Sequence, residues 1–251
     1  MIILGVRIDN LTKVEALKKI SEFLNYNKAR KIFTPNPEML VDAQKDVDFK
    51  AILNSGDLNL CDGFGLWLST GRRAERITGV DFMVELCALA EREGKSIYLL
   101  GSDSDEVVKK TSERLQEKFP LLKIAGYNKG LQIIKLSNYQ IDYNKDENED
   151  AIYDIIVKAP DIIFVAFGHG KQEKWIHENL VDLPSVKVAM GVGGSFDFIS
   201  GKTKRAPVWM RKIGFEWLYR LLREPKRFFR IWKAVVVFIF LNLSRNYTKP
   251  R

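Results

Sequence analysis

Short, wholly apolar runs alternate along this chain with longer stretches whose apolar positions recur every three or four residues. In "NLTKVEALKKISEFL", Leu11, Val14, Leu17, Ile20, Phe23 and Leu24 share one helical face, with Asn10 or Thr12 as the cap. "RKIFTPNPEML" reads as a short strand broken by Pro35 and Pro37, followed by a helix to about Leu53. "LNLCDGFGLWL" is again a strand running into a glycine turn and a helix start. The helix "VDFMVELCALAEREG" closes at Gly94 and is followed by the buried-strand pattern "SIYLLGS" and the helix "DSDEVVKKTSERLQEKF". "LKIAGYNKG" predicts a strand, and the acidic "NYQIDYNKDENED" predicts a loop. "PDIIFVAFGHGKQEKWIHENL" repeats strand, glycine loop and helix, and "VKVAMGVGGSFDFISG" adds a strand ending in glycines.

Strands this apolar must be covered on both faces, which predicts an α/β fold with a mostly parallel, Rossmann-like sheet flanked by helices. In such sheets ligands bind beyond the carboxyl ends of the strands, on the turns that lead into helices. Four of those turns carry chemistry: Thr34-Pro35-Asn36-Pro37-Glu38, Asp62-Gly63-Phe64-Gly65, Gly168-His169-Gly170-Lys171-Gln172-Glu173, and Gly191 to Asp197. Glycines such as Gly168, Gly193 and Gly194 let backbone approach a ligand, and helix N-termini offer free N–H groups to an anion such as a diphosphate. A nucleotide-type ligand fits. "GVGGSF" lacks GxGxxG spacing, however, and the lysine of "GHGKQE" is not followed by Ser or Thr, so neither standard nucleotide fingerprint is met.

Composition changes this picture at one end only. The 251 residues, 46% of them hydrophobic, suffice for a sizeable core. Cys61 and Cys87 lie in apolar contexts without metal-ligand spacing, so no disulfide framework or zinc site is expected and a reducing cytoplasm fits. "MIILGVRID" has no basic region before its short apolar run, and no export is expected. The formal charge of +8 is unevenly spread: from Lys202 onward there are 14 basic residues against Glu216 and Glu224, so residues 1–201 are slightly acidic. The same stretch holds 10 of the 28 aromatic residues, including Trp209, Trp217 and Trp232. This divides the chain into an α/β body, 1–201, and a basic, aromatic-rich helical appendage, 202–251, suited to an anionic and partly apolar partner.

The segments "TPNPEMLVDAQKD", "CDGFGLWL", "RITGVDFM", "YLLGS", "VAFGHGKQEKWI", "GVGGSFDFISGKTKRAP" and "GFEWLYRLLREPKR" occur in this order and span nearly the whole chain. Together they resemble the TagA/WecG family of bacterial glycosyltransferases, glycosyltransferase family 26. The resemblance implies transfer of N-acetylmannosamine, or its uronic acid, from a UDP-sugar donor to undecaprenyl-diphosphate-linked N-acetylglucosamine. In the first case the acceptor atom is the 4-hydroxyl and the product a β linkage, serving wall teichoic acid or a related surface glycan. It further implies inversion at the anomeric centre, no metal or other cofactor, and work at the inner leaflet of the membrane.

In that family the Asp of the "DG.G" turn is the proposed general base, which falls here on Asp62. A single displacement needs a carboxylate within hydrogen-bond reach of the acceptor hydroxyl, and an apolar strand beneath Asp62 would raise its basicity. The alternative is that Asp62 merely caps the next helix. Thr34 and Asn36, held by two prolines, are expected to face a sugar or to cap the helix at Glu38, and both roles can coexist. Arg76 matches a family motif and could neutralise a phosphate of the leaving group. Gln172 and Asp197 carry over as donor-nucleotide contacts.

The appendage completes the reading. Arg220, Arg223, Arg227 and Arg230 recur at helical spacing beside Leu218, Leu221, Leu222, Phe228, Phe229 and Trp232, and are expected at the acceptor diphosphate or at lipid headgroups. Pro225 starts a second helix or kinks one. "AVVVFIFLNL" is only 10 residues long, about half of the roughly 20 that span a bilayer, so it should lie in the interface of an anionic membrane. An apolar tail of this kind could also be masked by self-association. "DSD", Asp103 to Asp105, has metal-holding spacing but suits a helix cap as well, and His169 and His177 receive no catalytic role. Two other classes remain distinguishable: an oxidoreductase would be saturated by a nicotinamide cofactor, and a nucleic-acid binder, which is not expected, would show a steep salt slope.

Overall fold

The computed structural model describes residues 1–225 and 228–247. A short antiparallel pair, β1 (Ile2–Ile3) and β2 (Val6–Arg7), precedes the main sheet. The sheet strands are β3 (Arg30–Phe33), β4 (Leu58–Asn59), β5 (Ser96–Gly101) and β6 (Lys123–Asn128). A hairpin of β7 (Ile133–Lys135) and β8 (Ile141–Tyr143) intervenes, and β9 (Ile162–Ala166) and β10 (Val188–Gly191) return to the sheet. Their order is β4-β3-β10-β9-β5-β6, with every neighbouring pair parallel. The last two strands enter the centre, so all six carboxyl ends open on one edge.

Between the strands lie α1 (Lys13–Phe23), α2 (Pro37–Asp42), α3 (Val47–Asn54), α4 (Phe64–Ser69), α5 (Gly79–Arg92), α6 (Asp105–Lys118), α7 (Lys145–Lys158), α8 (Lys171–Asn179) and α9 (Ser195–Ile199). The appendage adds α10 (Val208–Ile213), α11 (Glu216–Arg223), α12 (Phe228–Trp232), a π-helical stretch Lys233–Val237, and α13 (Phe238–Tyr247).

Side chains of a strand alternate between faces, and here that alternation divides the buried residues into two cores. Tyr98, Leu100, Ile163, Val165 and Ala189 face a core built with α2, α3, α7 and α8. Ile97, Leu99, Ile162, Phe164, Val188 and Met190 face the other, built with α1, α5, α6 and α9. Because both faces are covered, the polar groups of the site have one place left to gather, the carboxyl edge.

Polar residues at helix starts act as caps. Thr12 and Glu15 form a capping box on α1, and Asn36, Asp46, Thr78, Ser104 and Asn144 accept backbone N–H bonds on α2, α3, α5, α6 and α7. Two of these caps correct the sequence reading. Asp46 divides the helix expected to run to Leu53 into α2 and α3, its carboxylate also pairing with buried Lys174 at 2.7 Å. The acidic "NYQIDYNKDENED" is not a loop. Ile141–Tyr143 pairs with β7, and Asn144 starts α7, whose first turn carries Asp146 and Glu147 where the helix dipole favours them. The periodicity was hidden because α7 buries only Ala151 and Ile155.

Candidate active site

A cavity of about 950 Å³ runs along the carboxyl edge of the sheet. Thr34, Asn36, Asp62, Arg76, Gly168, Gln172, Gly193, Gly194, Asp197, Arg220 and Arg230 all line it. Following the strand order, the wall presents Asp62 beyond β4, Thr34 and Asn36 beyond β3, Gly193 and Asp197 beyond β10, Gly168 beyond β9, and Ser102 and Asp103 beyond β5. Neighbouring strands lie about 4.8 Å apart, so Asp62 and Ser102 stand at opposite ends of a row roughly 19 Å long.

Asp62 is half-buried at one end of that row, its N–H donating to the Pro35 carbonyl at 3.0 Å. Gly63 follows with φ +86°, and a Cβ there would meet Pro37 Cδ at 3.1 Å, so the turn needs glycine twice over. Burial pushes the Asp62 carboxyl up to about 7, and the charge of Glu216 adds to the rise; N–H groups of Gly63 and Gly79 and the Arg220 guanidinium act against it. Ionisation is therefore centred near neutrality. The neighbouring Cys61 thiol is buried and pushed up to about 12, which leaves it inert as a nucleophile.

The remaining turns are braced by their own side chains. Asn36 Oδ1 accepts the Met39 N–H at 3.0 Å, and Thr34 packs against Gly79, where a Cβ would come within 3.3 Å of Thr34 Oγ1. Gln172 joins two glycine turns: its Oε1 accepts the Gly193 N–H at 2.8 Å and its Nε2 donates to Glu173 at 2.8 Å. Glu173, buried and with its carboxyl raised by that burial, accepts the Gly170 N–H at 2.6 Å. Gly168, Gly170 and Gly193 have positive φ and open space where a side chain would stand. Asp197 faces Lys202 at 3.2 Å, and Arg76 donates to the Arg211 carbonyl at 2.7 Å with its guanidinium 5.8 Å from the Phe64 ring centroid.

The appendage forms the outer wall. Gly214, left-handed at φ +87°, lets it approach Phe64 so closely that a Cβ would fall 2.3 Å from the ring. α11 ends at Arg223, ahead of Pro225, so the four arginines do not form one stripe. Arg220 lies over the Phe198 ring at 4.5 Å and lines the cavity, whereas exposed Arg223 stacks over Tyr219 away from it; Arg227 lies outside the described residues. Arg230 forks onto Glu38 at 2.9 and 3.1 Å and reaches His169 Nδ1 at 3.3 Å. His169 Nε2 lies 3.0 Å from Asp42, whose other oxygen takes Lys233 at 2.7 Å. Burial opposes the charge on Asp42, yet the hydrogen bonds from His169 and Lys233 outweigh it and hold the carboxyl at about 2.

The apolar segment beyond Lys233 has two faces. Phe238 is 1% exposed within the core, with Val237 and Leu241 packed beside it and Asn242 donating to Ser69. Phe240 and Leu243 are exposed, as are Phe229 and Trp232 before them, while Ile239 lies at the cavity. The segment expected in the membrane interface therefore also packs on the body, with Phe238, Val237 and Leu241 inward and Val236, Ile239, Phe240 and Leu243 exposed. Among the described residues no helix is long and apolar enough to cross a membrane.

Among the described residues, Glu38, Asp42 and His169 are the one group able to gather around a metal ion, and Arg230 and Lys233 already supply its countercharge. The "DSD" carboxylates diverge, Asp103 into the cavity and Asp105 to Lys129 at 3.5 Å. Sequence reasoning missed Glu216 and the cluster of Glu38, Asp42, His169 and Lys233. The i, i+4 spacing of Glu38 and Asp42 was a usable signal, but nothing local ties it to residues some 190 positions away.

The glycosyl transferase WecG/TagA/CpsF family model matches residues 1–251. The N-acetylglucosaminyldiphosphoundecaprenol N-acetyl-beta-D-mannosaminyltransferase of Bacillus subtilis (strain 168) is 38% identical over 210 residues, 82% of this chain and 74% of that protein. The Staphylococcus aureus (strain MW2) protein of the same name is 32% identical over 246 residues, 95% of this chain and 90% of its own. With its whole length matched and its motifs gathered on one sheet edge, this chain belongs to the WecG/TagA/CpsF family of glycosyl transferases.

Proposed function

We propose that the protein transfers N-acetylmannosamine from UDP-N-acetylmannosamine to the 4-hydroxyl of N-acetylglucosamine-diphospho-undecaprenol, with inversion to a β linkage. The names of its relatives support both the sugar and the lipid-linked acceptor. The observation that carries the chemistry is Asp62: a carboxylate at the cavity wall whose ionisation is centred at about 7. As the acceptor oxygen attacks the anomeric carbon, Asp62 takes its proton and the bond to the UDP oxygen breaks. One displacement inverts the centre. The open glycine turns at Gly168 and Gly193, on the same cavity wall as Asp62, are suited to the donor diphosphate.

Arg220 and Arg230, on the appendage wall, are suited to the acceptor diphosphate, and no metal is required in this scheme. The outward Phe229, Trp232 and Phe240 face supports peripheral attachment to the inner leaflet, where the lipid-linked acceptor lies. A panel of UDP-sugars, offered with the lipid-diphosphate acceptor with and without chelator, tests the reading. The expected result is chelator-insensitive turnover with UDP-N-acetylmannosamine; turnover with its uronic acid alone would reassign the donor, and turnover with none would overturn the proposal.

A further inference from the structure

Five titratable or charged side chains from three parts of the chain meet at the Gly168-His169-Gly170 turn, and the transfer step uses only Arg230 among them. Glu38 and Asp42 stand one helical turn apart on α2, His169 comes from the turn between β9 and α8, and Arg230 and Lys233 come from the appendage. Two carboxylates face a guanidinium and an ammonium, so the charges of the cluster balance without an added ion.

His169 touches both the body and the appendage. Its Nε2 lies 3.0 Å from Asp42 Oδ2, and its Nδ1 lies 3.3 Å from Arg230 Nη2. A guanidinium only donates and an ionised carboxylate only accepts, so these partners fix the tautomer: Nδ1 accepts from Arg230 and the Nε2–H donates to Asp42. Around the ring the backbone is permissive. Gly168 at φ +83° and Gly170 at φ +80° flank His169, and a Cβ at either would meet nothing within 4 Å. Glu173 secures the far side of the turn by accepting the Gly170 N–H at 2.6 Å, and the His169 side chain secures the near side. Its two partners are themselves shared with the rest of the cluster. Asp42 Oδ1 takes Lys233 at 2.7 Å, and Arg230 forks onto Glu38. Withdrawal of the appendage would therefore remove one partner of the ring and half the ties of the other.

Resting on the reading that the donor diphosphate lies at the Gly168 and Gly193 turns, we propose that His169 is a positioning residue that couples docking of the appendage to donor binding. With Arg230 and Lys233 seated, the ring is held at both nitrogens and the turn keeps one geometry. With them withdrawn, the nucleotide must order the turn itself, and affinity falls by that cost. The linkage is reciprocal: a nucleotide that holds the turn also holds the appendage.

Calorimetric titration of the full chain with UDP, arranged as a double-mutant cycle, tests this. His169→Phe keeps an aromatic ring but makes neither hydrogen bond, while Glu38 still holds Arg230 and Asp42 still holds Lys233. UDP binding should weaken roughly fivefold to tenfold, and donor KM should rise in parallel with kcat little changed. Lys233→Met, which acts on the turn through Asp42, should weaken UDP binding roughly threefold in the wild-type background and have no further effect beside His169→Phe. His169→Gln, whose amide both accepts and donates, should recover most of the lost affinity. Saturating UDP should slow tryptic cleavage of the appendage in the wild type and not in His169→Phe. UDP affinity unchanged by His169→Phe, or equal losses from Lys233→Met in both backgrounds, would overturn the coupling and leave the donor reading intact. If the wild type binds another nucleoside diphosphate in preference to UDP, the donor reading falls and the same cycle is read with that nucleotide; binding of none would overturn both.

Discussion

Asp62→Asn removes a charge that the fold holds at a cost, and it should stabilise the protein while silencing it. A carboxyl raised from 3.8 to about 7 corresponds to about 4 kcal/mol of differential interaction, an upper bound for a group that meets cavity water. The folded state binds this proton more tightly than the unfolded chain. Stability from this group is therefore complete below pH about 4 and is lost as pH rises through about 7. Asparagine keeps the shape and an acceptor for the N–H groups of Gly63 and Gly79, but never ionises. Thermal unfolding from pH 5 to pH 8 should show the variant gaining on the wild type as pH rises, by up to roughly 10 °C at 2 to 4 °C per kcal/mol. Over the same range wild-type kcat/KM should climb to a plateau above pH about 7, and the variant should be slower by at least about a hundredfold throughout. A variant no more stable at pH 8, or equally advantaged at pH 5, would refute the argument that burial sets the ionisation of Asp62.

Other outcomes follow from the same geometry. Glu216→Gln should move the acidic limb of the pH–rate profile downward, because the Glu216 charge helps to hold the Asp62 proton; Arg220→Gln should move it upward. Asp42→Asn breaks the contact to Lys233 and the hydrogen bond to His169, and should cost about 2 kcal/mol by the drop from 3.8 to about 2. That loss is present above pH about 4 and vanishes as pH falls through about 2, and faster tryptic cleavage of the appendage at neutral pH would report it. Phe229→Ser with Phe240→Ser removes two of the most exposed aromatics and should abolish most sedimentation with anionic vesicles while leaving UDP affinity unchanged. Unaltered sedimentation would place the membrane-facing surface elsewhere.

The sheet and its reactive edge were legible in the sequence because both rest on local rules. Runs such as "DIIFVAF" have only one way to satisfy backbone and side chains together, as strands covered on both faces, and the turns that follow must carry the polar residues. Thr34, Asn36, Asp62, Gly168, Gln172 and Gly193 could therefore be named in advance as cavity residues. Their bracing was not visible: that Gln172 spans from Glu173 to the Gly193 N–H depends on β9 and β10 being neighbours. α7 escaped notice for a different reason, since two buried residues give too faint a helical period to read.

The appendage marks the limit most clearly. By itself the sequence determined that the last fifty residues are cationic, aromatic and too short in their apolar run to span a bilayer, since charge and length are properties of the chain alone. Only the tertiary structure decided that Arg230 and Lys233 close on Glu38 and Asp42, that Arg223 points away, and that Phe238 belongs to the core. It also decided that Asp62 titrates near neutrality, because that requires Glu216 and a buried pocket around it. These are contacts between residues far apart in sequence. Their strength depends on distance and on exclusion of water, and both exist only once the chain has folded.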